Sequence, residues 1–200
     1  MMMRFTALFL LLLTLYSCEK DKIQPPVAPQ PSFIPISSTL HPLLFDTSSY
    51  WIYSNGNILD TVSLSAITRV EMFVQPQQTK DETFLLQYES SAFSSYTERY
   101  MGAIITRNWI NEGWAYATNF EVGESYGGLT LIGKLDTLTV GTHQYYNVTQ
   151  FKVQQSNYFS SDMYLYYADS VGVIRKEILS GNSVVDTWNL IEYNVAIYPY

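Results

Sequence analysis

Apolar and polar residues alternate along several short stretches of this chain, and turn-forming residues separate the stretches. Within residues 58–67, Val62, Leu64 and Ala66 occupy every second position and polar residues lie between them. A period of two is typical of a strand with one buried face. Asn55 and Gly56 precede this stretch, and both accept the positive φ of a tight hairpin turn. The pattern predicts a β-hairpin whose first strand is residues 50–53.

The last part of the chain has the most regular pattern. Residues 163–167, 173–179 and 184–195 are apolar and aromatic runs, and residues 168–172 and 180–182 between them contain glycine. Strands at such spacing indicate an antiparallel meander. With further short strands expected between residues 69 and 153, the sequence predicts an all-β domain. The expected form is a single curved antiparallel sheet or open half-barrel, and a β-sandwich is the alternative.

The composition agrees with strands and excludes one class of partner. The chain has 17 Tyr, 10 Phe and 4 Trp, and aromatic residues fit a pleated, half-buried surface. It has 18 acidic and 11 basic residues. Because nucleic-acid binding needs a basic stripe, we expect no nucleic-acid partner.

The first residues have the features of a secretory signal peptide. One positive charge, at Arg4, precedes an apolar run from Phe5 to Leu15. That run is too short to span a bilayer, which needs about 20 residues, and a small residue, Ser17, follows it. The sequence therefore predicts a signal peptide at residues 1–17.

Leu15, Tyr16, Ser17 and Cys18 resemble a bacterial lipobox, and Cys18 is the only cysteine in the chain. This resemblance implies cleavage before Cys18 and diacylation of its thiol, and two or more acyl chains give stable membrane anchoring. Residues 19–22 resemble the charged signal of surface lipoproteins of the Bacteroidota. They imply an outer-membrane protein at the cell surface, with the periplasmic leaflet as the alternative.

Residues 18–35 are rich in proline, which donates no backbone hydrogen bond and fixes φ. Such a segment favours an extended, semi-rigid tether. The predicted organisation is a signal peptide at 1–17, a tether at 18–35 and a β domain at 36–200.

Three segments of the β domain together resemble uncharacterised lipoproteins of the Bacteroidota. They are a W-x-Y start at Trp51 and Tyr53, a G-T-x-x-x-x-N-V segment at 141–148 and a Y-Y-A-x-x-V-G segment at 166–172. The resemblance implies a curved antiparallel sheet similar to the open half-barrels of periplasmic lipoprotein carriers. It implies no catalytic residue.

The sequence offers no convincing catalytic or metal-binding group. A G-x-S-x-G motif spans residues 123–127, but strand-like residues follow it where a hydrolase would have a helix. His41 and His143 are the only histidines, and zinc sites need three or four His or Cys ligands. We therefore expect no enzyme, catalytic residue, metal or cofactor.

The remaining candidate sites concern binding and modification. Trp109 and Trp114 flank a predicted turn, where they would form a platform for a glycan, although core packing is the plainer explanation. Thr61, Thr137 and Ser170 each follow an aspartate and precede an apolar residue. This pattern resembles the O-glycosylation acceptor of exported Bacteroidota proteins.

Taken together, the sequence predicts a non-enzymatic, lipid-anchored envelope protein. It would bind a ligand, a glycan or an envelope protein at or near the outer-membrane surface. One alternative is a periplasmic-side carrier that holds an apolar ligand in the concave sheet. A second alternative is a glycan-active enzyme, for which two carboxylates flanking a sugar would suffice.

Overall fold

The computed structural model describes residues 30–93, 95–101, 104–109, 112–117, 119–126, 128–154 and 162–199. The side chains of residues 107–118 lie outside this description, as does Cys18 with the rest of the signal peptide and most of the tether. Within the described residues, no helix is both long enough and apolar enough to cross a membrane.

Thirteen strands and one short 3₁₀ helix lie within the described residues. The 3₁₀ helix spans Ser38–Leu43. The strands in chain order are β1 (Ser32–Ile34), β2 (Tyr50–Ser54), β3 (Leu59–Val74), β4 (Thr79–Ser90), β5 (Tyr96–Met101), β6 (Ile104–Trp109), β7 (Glu112–Ala117), β8 (Ser125–Tyr126), β9 (Leu129–Val140), β10 (His143–Val153), β11 (Met163–Ala168), β12 (Gly172–Ser180) and β13 (Ser183–Asn194).

The described strands form one sheet in the order β7-β6-β5-β4-β3-β2-β13-β12-β11-β10-β9-β8, with β1 attached to β4. Every pair along this order is antiparallel, and only β1 runs parallel to its partner. The predicted all-β fold, a single curved antiparallel sheet forming an open half-barrel, is confirmed. The end strand β7 lies beside β8 and β9, although no ladder joins it to them within the described residues.

Two strands are longer than the sequence pattern predicts. The expected strands at 58–67 and 69–75 are one strand, β3, with a bulge between Leu64 and Ala66. The stretches 129–132 and 136–140 are likewise one strand, β9, with an irregularity at Ile132. A bulge adds one residue and bends the strand. It therefore shifts the alternation by one position, which accounts for the strand end predicted at Ile132. In β3 the bulge lies inside the predicted strand 58–67, so it does not account for the break predicted at Thr68.

Strand β1 lies inside the range predicted as tether. Ser32 to Ile34 pair with Thr79 to Asp81, and prolines stand immediately before and after β1. Proline cannot donate to a ladder, so short edge strands are where a sheet tolerates it. Ile36 follows, is buried, and donates its backbone N–H to Glu82 Oε2 at 3.1 Å. The sheet thus includes residues that precede position 36.

The apolar side chains of the concave face form one core. Its members are buried residues from the 3₁₀ helix and from strands along the whole order, and they include Leu40, Trp51, Phe84, Tyr100, Leu131, Phe151, Leu165, Ile174 and Leu190. Because there is one sheet, these residues pack against other parts of that same sheet. The curvature is what brings them into contact.

Two donors from β2 join this strand to β12 across the concave face. Trp51 Nε1 donates to the carbonyl of Val171 at 2.6 Å, and the Tyr53 hydroxyl donates to the carbonyl of Val173 at 2.8 Å. The β12–β13 ladder ends at the pair Arg175–Asn189, so both carbonyls lie beyond it. The W-x-Y and Y-Y-A-x-x-V-G segments therefore meet in the fold.

We predict that Tyr53→Phe destabilises the domain. It removes a buried hydroxyl and leaves the Val173 carbonyl without this donor, a loss of about 1–3 kcal/mol in the free energy of unfolding. Urea denaturation measures the change. Tyr146→Phe is the matched control, because that hydroxyl is exposed and contacts only the exposed Gln144. Equal stability of the two variants would show that the hydrogen bond from Tyr53 to the Val173 carbonyl does not stabilise the domain.

Candidate functional site

A cleft of about 400 Å³ opens between the 3₁₀ helix and the concave face of β9, β10 and β11. Its volume falls within the range of small-molecule sites, about 300–1,000 Å³. The apolar wall consists of Pro42, Leu43, Phe120, Leu131, Phe151 and Ala168, and the polar lining consists of Thr39, Lys134, Thr149, Tyr167, Asp169 and Ser170. An apolar wall with a few polar groups is the usual arrangement of a binding site for a small ligand.

The 3₁₀ helix is held firmly over one side of the cleft. Ser37 caps its first turn by accepting the N–H of Thr39 at 3.3 Å. Leu40 and Leu44 are fully buried and anchor the helix in the core. The carbonyl of Leu44 also accepts the N–H of Tyr198 at 2.7 Å, so the C-terminal segment fixes the end of the helix.

The turn between β11 and β12 forms the opposite rim. Asp169 and Ser170 lie at its tip, and Ser170 has φ +60°, which a short polar side chain tolerates better than a bulky one. Gly172 follows with φ +94° and packs against Phe45 and Trp51. Partial desolvation by neighbouring atoms raises the pKa of the Asp169 carboxyl above its ordinary value, although the side chain keeps contact with water.

Behind the cleft, a polar network ties β10, β11 and β12 together. The Tyr166 hydroxyl donates to Glu177 Oε2 at 3.0 Å and accepts from Gln150 Nε2 at 2.9 Å. Arg175 pairs with the same glutamate at 2.6 Å. Burial, and then the bond to Glu177, raise the pKa of Tyr166 to about 12, so this hydroxyl stays a donor at neutral pH. Two of the strands under the cleft, β10 and β11, are thereby held in register with each other and with β12.

The rest of the concave interior is filled by the protein's own side chains. Beside Trp51 and Tyr53, the buried Glu98 accepts the Tyr100 hydroxyl at 2.7 Å. Lys176 Nζ lies 4.2 Å from the centroid of the Tyr53 ring, a cation–π distance. The space left among these groups is about 20 Å³, which is room for a single water. A ligand-sized opening is therefore found at the cleft and not in this aromatic interior.

Two other buried carboxylates have structural partners. Asp60 accepts the Ser90 hydroxyl at 2.7 Å and the Ala92 N–H at 3.2 Å, and Lys176 Nζ lies 3.8 Å from its other oxygen. Glu82 pairs with Arg69 in addition to the Ile36 N–H. These contacts connect loops to strands and do not converge with Glu98 in an open cleft.

The tryptophan platform stays a prediction, because the structure gives only the backbone positions of Trp109 and Trp114. Trp109 pairs in register with Glu112, and Trp114 pairs with Arg107. The two tryptophans are thus diagonal register neighbours on the β6–β7 hairpin, which ends the sheet order. Their side chains lie outside the described residues.

The three candidate O-glycosylation residues have exposed side chains but differ in their preceding aspartates. Thr61 follows Asp60, which is fully buried and engaged as described above. Thr137 and Ser170 follow aspartates that are exposed. An enzyme that must contact both residues would reach Thr137 and Ser170 in the folded domain more easily than Thr61.

The described residues do not form the geometry that a serine hydrolase or a metal site would need. Within the G-x-S-x-G stretch, Ser125 begins the short strand β8 and its hydroxyl lies 2.7 Å from Thr130 Oγ1. β9 follows directly, where a nucleophile turn would need a helix. Among the described residues, no group of three or more His, Cys, Asp or Glu is placed to hold a metal ion.

Sequence reasoning missed the cleft itself. Lys134, Thr149 and Asp169 lie on β9, β10 and the β11–β12 turn, and no motif links them. The one local signal is the pair Asp169–Ser170 within the Y-Y-A-x-x-V-G segment. Their meeting with the 3₁₀ helix depends on the curvature of the sheet, which a pattern of alternation does not encode.

Comparison with known proteins does not assign the chain to a family. No protein-family model matches the chain, and no curated protein matches it.

We predict a pH-dependent effect of Asp169→Asn. Because the folded state raises the pKa of this carboxyl, ionisation begins to disfavour folding as the pH rises above the unfolded-state pKa, and the full cost is reached above the folded-state pKa. The variant should match the wild type at pH 3, where the carboxyl is protonated in both states, and should be slightly more stable at pH 7. Exposure keeps the gain below about 1 kcal/mol. Urea denaturation at both pH values measures it, and a less stable variant at pH 7 would refute the stated cause.

Proposed function

We propose that this protein is a non-enzymatic, lipid-anchored binding protein of the outer membrane that holds a compact ligand in the cleft beneath the 3₁₀ helix. The observation that carries the proposal is the cleft itself, with about 400 Å³ of space, an apolar wall and a polar lining. Cys18 supplies the lipid anchor, and the charged residues 19–22 favour the cell surface over the periplasmic leaflet.

The cleft also indicates the chemistry of the ligand. Leu131 and Phe151 supply an apolar surface, while Lys134 and Asp169 supply a positive and a negative charge to the polar lining. An amphipathic molecule with an apolar body and an anionic or hydrogen-bonding end fits this combination. Glycans or short segments of envelope proteins with such groups are the natural classes.

The alternative function, a periplasmic-side carrier of an apolar ligand, would use the same cleft. A periplasmic carrier of lipids needs an apolar chamber that encloses acyl chains, whereas the aromatic interior beside Tyr53 leaves space for about one water. The apolar ligand of such a carrier would therefore be limited to what the cleft holds. We favour a compact ligand over a two-chain lipid for this reason.

The cleft is tested with 8-anilinonaphthalene-1-sulfonate, an amphipathic anion that fluoresces in apolar sites. The mature protein should bind this dye at one saturable site. Thr149→Trp fills the cleft and should weaken binding by about tenfold or more. Gln144→Trp is the matched control, since Gln144 is an exposed residue of the same strand that does not line the cleft. Equal dye affinity in both variants would locate the binding elsewhere and refute the proposal.

The anchor is tested independently of the cleft. Labelled palmitate should be incorporated into the wild-type protein in cells and should be lost in Cys18→Ala, because the acylated sulfur is removed. Immunoprecipitation and autoradiography give the readout. Ser17→Ala keeps a small residue before the cysteine and should retain the label. Incorporation that persists in Cys18→Ala would disprove lipid anchoring at this residue.

A further inference from the structure

One end of the sheet carries a group of exposed apolar side chains. The distal arm, as we call it, consists of β1, residues 70–74 of β3 and residues 79–81 of β4. Phe33 and Phe73 are 48% and 53% exposed, and Ile34 and Met72 are 41% and 37% exposed. Grouped exposure of this kind marks an interaction surface, whereas single exposed apolar residues are ordinary.

The arm has few neighbours to cover it. Beyond Leu64, β3 pairs only with β4 among the described strands, because β2 ends its ladder opposite Ser63. β1 pairs only with the first residues of β4. The arm is therefore a three-stranded extension whose outer edges are both unpaired within the described residues.

Both faces of the arm are apolar. Phe33 and Phe73 are register partners of Lys80, while Ile34 and Met72 are register partners of Asp81. Because successive strand residues point to opposite faces, one face presents the two phenylalanines and the other presents Ile34 and Met72. A rigid protein partner covers one face of a sheet. An apolar medium such as a lipid layer contacts both.

The charges on the arm do not select a charged partner. Lys80 Nζ pairs with Glu71 Oε2 at 3.2 Å, so these two charges cancel locally. The remaining charge of the arm is Asp81, whose carboxylate accepts the Thr79 hydroxyl at 2.7 Å. Attachment through this surface would depend on apolar contact, and salt would have little effect on it.

The position of the arm in the chain indicates which apolar medium it meets. β1 begins fourteen residues after Cys18, so even a fully extended connection reaches at most about 50 Å from an acylated Cys18 to the arm. Tethering at this range gives the membrane surface a high effective concentration, which makes a weak contact sufficient. A second exposed group includes Leu59, the first residue of the 16-residue β3 and about 50 Å from the arm along that strand. It also includes Val185 of β13, whose neighbour Asp186 accepts a hydrogen bond from Asn55 in the turn before β3.

We infer that the distal arm is a membrane-contacting surface that inserts its apolar side chains into the lipid interface and sets the orientation of the domain. This inference rests on the proposed acylation of Cys18. The contact would fix the orientation of a domain that is otherwise held only by its tether. The opposite end of β3 would then face away from the bilayer.

The test uses the acylated, full-length mature protein in phosphatidylcholine vesicles. A polarity-sensitive fluorophore is attached to the thiol introduced by Phe73→Cys, because acylation leaves no other thiol in the chain. Brominated lipid should quench this label about twofold, since interfacial side chains lie near the headgroup–acyl boundary. Its emission should shift to the blue, equally at low and high salt. The matched control is Val185→Cys, a residue of β13 that is 61% exposed and lies near the turn before β3, and its label should remain unquenched.

Each other outcome overturns the inference in a recognisable way. Protein that floats with the vesicles while the Phe73→Cys label stays unquenched leaves the lipid anchor intact and refutes the arm. Quenching of the Val185→Cys label instead would reverse the orientation. Protein without acyl chains on Cys18, shown by mass spectrometry before reconstitution, would remove both the anchor and the inference.

Discussion

Apart from the short 3₁₀ helix, this sheet buries its apolar face against itself, and this constraint shapes the whole domain. The strands curve until side chains from distant parts of the order touch, and large aromatic residues fill the distance that a second sheet would otherwise occupy. Trp51 and Tyr53 show the principle most clearly. Their rings contribute to the core, while their polar atoms bond to the carbonyls of Val171 in the β11–β12 turn and Val173 in β12, beyond the end of the β12–β13 ladder.

The same constraint explains where a ligand fits. Beside Trp51 and Tyr53, aromatic rings and the Glu98–Tyr100 pair leave only water-sized space. Beneath the 3₁₀ helix the covering layer is a short helix held by Leu40 and Leu44, and it does not fill the volume above β9 to β11. The cleft is thus the place where the sheet is covered by another element and incompletely packed.

The sequence predicts the strands well, but it does not predict which residues distant in sequence come into contact in the folded domain. Alternation around Val62 and the turn at Asn55 and Gly56 are local, so they indicate the β2–β3 hairpin without any tertiary information. The bulge after Leu64 was not predicted, because Ala66 continues the apolar alternation of Val62 and Leu64 in the sequence. The cleft was not predicted either, since its residues are distant in sequence. Cys18 remains the most specific sequence prediction, and its test lies outside the described residues.

The pairing of β2 with β13 has a consequence for how the chain reaches its final state. These strands lie at opposite ends of the domain sequence, so their contact carries a large loop-closure cost and slows folding. A chain that leaves the ribosome or a translocation channel from its N-terminus cannot form this pair until residues 183–194 have emerged. Until then the two halves of the order, β2 to β7 and β8 to β12, have no strand to join them. The sheet can therefore be completed only after β13 has emerged. A chain truncated before β13 would expose the aromatic face that the complete sheet buries.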